Sequence, residues 1–302
     1  MLICDTHADT PWSMIDPDHN PSVPFDVLRE HLTQSPTDVR VQAQALFAGT
    51  EGPEVCREVV RRELNALDAL KKQGWRQVRD LSEALPGEAN YLLTIEGCEV
   101  FLGDVDRVDL FADLGVRVAA LTWNNPNGLC HPALSGVKDG LTPLGRQMVK
   151  RMRERHMAVD VSHLNMRGMF DLVEDGGKPP MASHSCVYSL CRHARNLTDD
   201  QLRALFEVGG FVGVNFFPGF LSEDGVADIN RVIDHMAYMC DLGGENCVGF
   251  GSDFDGIDGW PEGLRNAGDV PKLVDGLLKR GFGKELTEKI AGLNFKNYLE
   301  RL

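Results

Sequence analysis

No apolar run in these 302 residues approaches the roughly 20 that a membrane-spanning helix needs. No basic segment followed by an apolar stretch opens the chain, so a secretory signal peptide is not expected. Positive charge is scarce: 31 Lys and Arg stand against 45 Asp and Glu, a net charge of −14. Such a chain repels nucleic acid and anionic membrane surfaces, and neither is expected as a partner. None of the eight cysteines (Cys4, Cys56, Cys98, Cys130, Cys186, Cys191, Cys240, Cys247) forms a C-x-x-C pair. In a long chain without a secretory signal they read as reduced, mostly buried thiols, and the protein as cytoplasmic. Internal repeats, low-complexity tracts and linkers are lacking too. That leaves one domain, 1–302, with 43% hydrophobic residues to build a core.

What the chain does have comes at once. A short apolar strand at 2–4 runs straight into Asp5, His7 and Asp9. Alternate residues of an extended strand point the same way, so His7 and Asp9 project together. An imidazole nitrogen beside a carboxylate oxygen suits Zn²⁺ or a similar divalent ion. Further apolar runs predict strands at 41–49, 91–96, 116–122, 157–162, 180–183, 211–216 and 247–252. Helical spacing and end signals mark 54–73, 105–114, 143–156, 166–174, 199–208, 226–242, 270–280 and 284–302. Pro17, Pro21, Pro24 and Pro36 argue against regular helix before about Val39. Eight strands, each followed by a helix or a long loop, imply parallel pairing with helical crossovers. Eight such units in this length predict an α/β fold of the (β/α)8 TIM-type barrel. A doubly wound open sheet, the alternative, would want a Gly-rich turn after its first strand. The chain has Asp-Thr-His-Ala-Asp there.

The ends of the expected strands share a chemistry. They offer His7 and Asp9, Glu96, His163, His184 and Asp253, all metal-ligand or acid/base types. A barrel builds its active site on the C-terminal rim of its strands. Each residue also has an ordinary reading: a core histidine for His163, a helix cap for His184, a turn for Glu96. Asp253 and Asp255 could be simple turn formers. Their joint placement at one mouth favours a site.

The motifs now become specific. D-T-H-A-D-T-P-W (5–12), T-I-E-G (94–97), G-L-T-P-L-G (140–145), D-V-S-H (160–163), S-H-S (183–185), R-N-L-T-D-D (195–200) and G-S-D-F-D-G (251–256) run in one order over nearly the whole chain. Through them the chain resembles the renal (membrane) dipeptidase family of zinc peptidases, within the amidohydrolase-type barrels. The resemblance implies two Zn²⁺ per chain. His7 and Asp9 would bind one, His163 and His184 the other, and Glu96 would bridge them, where related barrels often use a modified lysine. It implies a shared hydroxide that attacks the peptide bond of a dipeptide, L,L or L,D, and a homodimeric assembly. Asp253 would pass the water's proton to the leaving amine, and Arg195 would clamp the substrate carboxylate with its two-pronged guanidinium. The bland alternative for Arg195 is a solvated salt bridge to Asp199 or Asp200.

One position departs from the pattern. Where many members carry a His after the fourth strand, this chain has Trp123, an N–H donor that cannot carry charge. Its place makes Trp123 a substrate-contacting residue, with His131 in the following loop a candidate substitute for the lost imidazole. The loop 124–139 is a candidate lid. Phe216, Phe217 and Phe220 are candidates for a side-chain pocket, with ordinary packing as the alternative. Two rival functions follow: another metal-dependent amidohydrolase, such as an N-acyl-amino-acid deacylase, or a catalytically dead binding barrel.

Overall fold

Nine strands are present in the computed structural model, which describes residues 1–16, 24–47, 49 and 52–302. They are β1 (Leu2–Asp5), β2 (Val39–Phe47), β3 (Trp75–Val78), β4 (Ala89–Glu96), β5 (Val116–Ala120), β6 (Ala158–Asp160), β7 (Met181–Ala182), β8 (Phe211–Val214) and β9 (Val248–Phe250). Eight of them close a parallel ring in the order β1-β2-β4-β5-β6-β7-β8-β9, with β9 returning to β1 at Asp5↔Phe250. The fold is the predicted (β/α)8 barrel. All eight expected strands are found as its staves; Ala48, inside the second, lies outside the described residues.

β3 is extra. It pairs with the first half of β4, Trp75↔Ala89 to Val78↔Leu92, and β5 takes over that edge from Leu93 onward. Only Trp75 and Val78 of β3 are buried, so neither an apolar run nor a period of two marks it. The helix-free stretch expected before Val39 is also corrected. Helices occupy Thr10–Ile15 and Phe25–Thr33. Pro11 sits in a first turn, where its missing N–H costs nothing, and Pro24 caps the second helix from outside. Leu28 and Leu32, four apart, give that helix its buried face. Pro17 and Pro21 lie outside the described residues.

The remaining helices fall near their expected bounds. The last one is broken, with a wide π turn at Lys289–Leu293 between Gly283–Glu288 and Asn294–Leu299. Its end sits beneath the N-terminal ends of the staves. Tyr298 donates to Pro179 O just before β7, and Arg301 to Gly209 O just before β8, both at 2.8 Å. Phe295, Tyr298 and Leu299 pack there with one residue from most strands, among them Cys4, Val41, Leu92 and Phe211. The opposite mouth is thereby left open for chemistry.

Closure of the ring is polar as well as apolar. Asp5 is buried and accepts from Ser252 N at 2.8 Å, Ser252 Oγ at 2.5 Å and Gln42 Nε2 at 3.1 Å. One carboxylate thus ties β1 to β2 and to the segment after β9. Among the described residues no helix is long and apolar enough to cross a membrane.

Candidate active site

Each of the six expected residues stands where a stave ends. Glu96 is the last residue of β4; His7 and Asp9 follow β1, His163 follows β6, His184 follows β7, and Asp253 follows β9. The barrel brings all six together and buries them, none being more than 9% exposed. His7 Nε2 lies 3.4 Å from Asp9 Oδ2, 3.7 Å from Glu96 Oε1 and 3.8 Å from Asp253 Oδ1. Glu96 Oε1 lies 2.9 Å from His163 Nε2 and 3.6 Å from His184 Nε2, and those two nitrogens are 3.0 Å apart. Glu96 therefore stands between two sets of ligand-type atoms. His7, Asp9 and Asp253 form one compact group; Glu96, His163 and His184 form another.

The donor chemistry of these groups fits a cation. His163 Nδ1 faces Asn124 Oδ1 at 2.9 Å, so the ring proton belongs there and Nε2 carries a lone pair. That lone pair points at Glu96 and His184, with only Arg195 Nη2, at 3.0 Å, as a donor. His7 Nε2 and Asp9 Oδ1 are buried without any hydrogen-bond partner. Crowded nitrogen and carboxylate lone pairs repel one another unless a positive charge sits among them. Nitrogen with carboxylate oxygen is also the mixture that zinc prefers.

Protonation tells the same story for the metal-free protein. Burial disfavours an imidazolium at His7, but Asp9, Glu96 and Asp253 outweigh it and raise its pKa to about 10. Burial, helped by the charges of Arg195 and His7, pushes His163 and His184 well below the usual imidazole range. Burial beside Asp9 lifts Glu96 well above the carboxylate range, and burial lifts Asp253 to about 6.

Asp253 is held by its loop. It has a left-handed backbone (φ 63°), its N–H donates to His7 O at 3.1 Å, and its Oδ2 accepts from Asn215 Nδ2 at 2.8 Å. Gly256 lets this turn lie against the site: a Cβ there would fall 2.1 Å from Asp9 Oδ2. The Ser-Asp-Phe-Asp-Gly segment is therefore both a turn and a wall of the site.

Above these groups opens a cavity of about 280 Å³. Asp9, Glu96, His163 and Asp253 line it, with Arg195 and Trp123 beside them. Arg195 is 3% exposed, lies 5.5 Å over the Phe220 ring and leaves Nη1 without a partner. It makes no salt bridge to Asp199, whose oxygens accept from Ser189 and Tyr238 instead. Trp123 packs edge-on against Phe47, ring centres 5.0 Å apart. Phe217 and Phe220 reach the cavity, but Phe216 does not; it is core, packed on Phe254. His131 is not among the lining residues, and the loop 124–139 contributes Asn124 and Leu134. Sequence reasoning missed Asn124 and Asn215, whose one signal is a place soon after β5 and β8, and His193 and Asp258, which lie deeper in the loops after β7 and β9.

Comparison with known proteins gives the family and supports the fold. The membrane dipeptidase family (peptidase family M19) matches residues 1–301. A Klebsiella pneumoniae protein, described only by its position in the pqqA 5′ region, is 34% identical over 69% of this chain and 80% of its own length. An uncharacterised dipeptidase of Schizosaccharomyces pombe is 32% identical over 78% of the chain and 61% of itself, and the dipeptidase tcpJ of Claviceps purpurea is 33% identical over 69% and 50%. The chain thus spans little more than half the length of those fungal relatives. Among solved structures, a metallopeptidase of Rhodobacter sphaeroides, liganded with a phosphinate mimic of L-Ala-D-Ala, superposes with a TM-score of 0.86 at 24% identity, covering 100% of this chain and 99% of that one. A metallopeptidase of the same family, dipeptidase AC, gives 0.86 at 25% identity over 100% and 98%.

Proposed function

This chain belongs to the membrane dipeptidase family, and from that premise we propose that it is a metallo-dipeptidase cleaving the one peptide bond of a dipeptide with both termini free. His7 and Asp9 would hold one divalent ion and His163 and His184 a second. Glu96, with Oε1 between the two sets, would bridge them. Zinc is the metal we propose, on the mixed imidazole and carboxylate donor set. Bound zinc supplies Lewis acidity, polarising a carbonyl and lowering the pKa of water toward ~7.

The chain's own residues do the rest. Asp253 has Oδ2 engaged by Asn215, which leaves Oδ1 to take a proton and deliver it to the leaving amine. Burial brings its pKa to about 6, near the range in which a carboxyl can both gain and lose a proton. Arg195, with Nη1 unpartnered, would bind the C-terminal carboxylate through a charge-assisted fork. Trp123 would offer an apolar face and one N–H to the substrate. One observation favours a dipeptide over an N-acyl amino acid. Asp258 is an exposed carboxylate on the same cavity wall, outside both ligand groups. It would take the substrate's ammonium, which an acylated amine lacks. A small cavity of about 280 Å³ with one cation and one spare anion suits a short zwitterion. The mimic carried by the Rhodobacter relative extends the proposed substrates to L,D-dipeptides. The eight cysteines are all free thiols, which supports a reducing, cytoplasmic setting.

The test is metal content on protein purified without chelator, paired with amine release from L,L- and L,D-dipeptides and their N-acetylated forms. About two zinc ions per chain and release from the free dipeptides only is the expected result. Equal cleavage of the acetylated forms would make the protein a deacylase. Metal without hydrolysis of any amide would make it a binding protein.

A further inference from the structure

Ser183 is a hydroxyl wedged between a carboxylate and two imidazoles. Its Oγ donates to Asp160 Oδ2 and lies 2.8 Å from His184 Nδ1 and 3.4 Å from His7 Nδ1. Asp160, the buried last residue of β6, is saturated with donors. Its Oδ1 accepts from Ser162 N at 2.9 Å, Ser162 Oγ at 2.6 Å and Ser183 N at 3.0 Å. Asp160 also clusters with His7 and His184 closely enough to suggest a third ligand group. A carboxylate whose two oxygens already receive four hydrogen bonds has little left for a cation. We infer that Asp160 and Ser183 are positioning residues: a relay that fixes the tautomer of both His7 and His184, so that each ring offers a bare Nε2 to the metal.

Counting protons gives the result. A hydroxyl has one proton and two lone pairs. Asp160 Oδ2 accepts, so the Ser183 proton goes there. The Ser162 proton goes to Oδ1 of the same carboxylate, so none lies in the 3.2 Å contact between the two hydroxyls. Ser183 Oγ then has only lone pairs to show the two rings. Each Nδ1 must be the donor, so a neutral ring carries its lone pair on Nε2. Histidine ligands commonly need such a partner on the nitrogen away from the metal. Here one carboxylate, through one hydroxyl, serves a histidine of each ion's set.

The inference rests on reading His7 and His184 as ligands, and the test separates the two ideas. Asp160→Asn is nearly isosteric. Its Oδ1 keeps three donors, but its Nδ2 now donates to Ser183 Oγ. Ser183 then turns its own proton toward His184 Nδ1, and the ring proton moves to Nε2, where it opposes a cation. Ser183→Ala removes the hydroxyl that would do this. Zinc affinity of the metal-stripped full chain, measured by competition with a chelating dye, should fall about 10- to 100-fold in Ser183→Ala and further in Asp160→Asn. The double variant should recover to the Ser183→Ala level, and Ser183→Thr should stay near wild type. Ring ¹⁵N spectra of the zinc-loaded wild type should show a proton on Nδ1 of both histidines. Far-UV circular dichroism checks that each variant is folded. Wild-type affinity in Asp160→Asn, a double variant as weak as Asp160→Asn, or a bare Nδ1 would overturn the relay. If the wild type takes no zinc, the ligand reading fails instead, and the His184 ring spectrum of the metal-free protein still decides the relay.

Discussion

A carboxyl that moves a proton needs one oxygen anchored and the other free. Asp253 meets both conditions, with Asn215 on Oδ2 and the cavity at its other side. Asp253→Asn keeps the shape and removes the titrating group. Metal content should stay near normal while kcat falls by about 10²-fold or more, the usual worth of a positioned acid or base; elemental analysis and steady-state rates on one preparation check both. An active variant would take the proton from Asp253 and give it to another group. The residues that the sequence sets at strand ends and the barrel brings together (His7, Asp9, Glu96, His163, His184, Asp253) share a reactive type and a place at a strand end. Asn124 and Asn215 have the place without the type. Ser183 and Asp160 lie inside quoted motifs, yet their role depends on which stave neighbours which. That adjacency is absent from spacing along the chain.

At the scale of elements, the helix Asp199–Glu207 shows how local sequence supports the site. Thr198 Oγ1 accepts from Gln201 N at 3.3 Å, and Gln201 Oε1 accepts from Thr198 N at 3.1 Å, a reciprocal cap. The residues just before it carry Arg195, and Asn196 pins them by donating to Cys191 O and Phe220 O, each at 2.8 Å. Thr198→Ala should cost about 1 kcal/mol of stability, read as a lowered denaturant midpoint with an unchanged slope. The staves were legible because parallel strands buried on both faces are continuous apolar runs. β3 was not, since half of it faces solvent and only two of its four residues are buried. The helices at Thr10–Ile15 and Phe25–Thr33 were hidden by their prolines, which mark helix starts here rather than breaks.

For the whole molecule, stability should fall in mild acid through a group outside the cavity lining. His235 is buried; its Nδ1 accepts from Val187 N at 3.0 Å and its Nε2 donates to Leu221 O at 2.9 Å. Burial pulls its pKa down to about 4. The unfolded chain takes up this proton near pH 6.5 and the folded one only near 4, so the loss grows between those values and approaches ~3 kcal/mol. Denaturation midpoints from pH 8 to pH 4 should show that slope, and His235→Gln, less stable throughout, should lose part of it. The ring of staves carries a last consequence. Asp5 and its partner Ser252 are 247 residues apart in sequence, and His7 and Asp253 face each other across the same seam. A ribosome makes one side of that seam long before the other. β2 can pair with one edge of β1 early, but the other edge waits for β9. All six clustered side chains except Asp253 are made by His184, so the proton-handling carboxylate is the last part of the site to arrive.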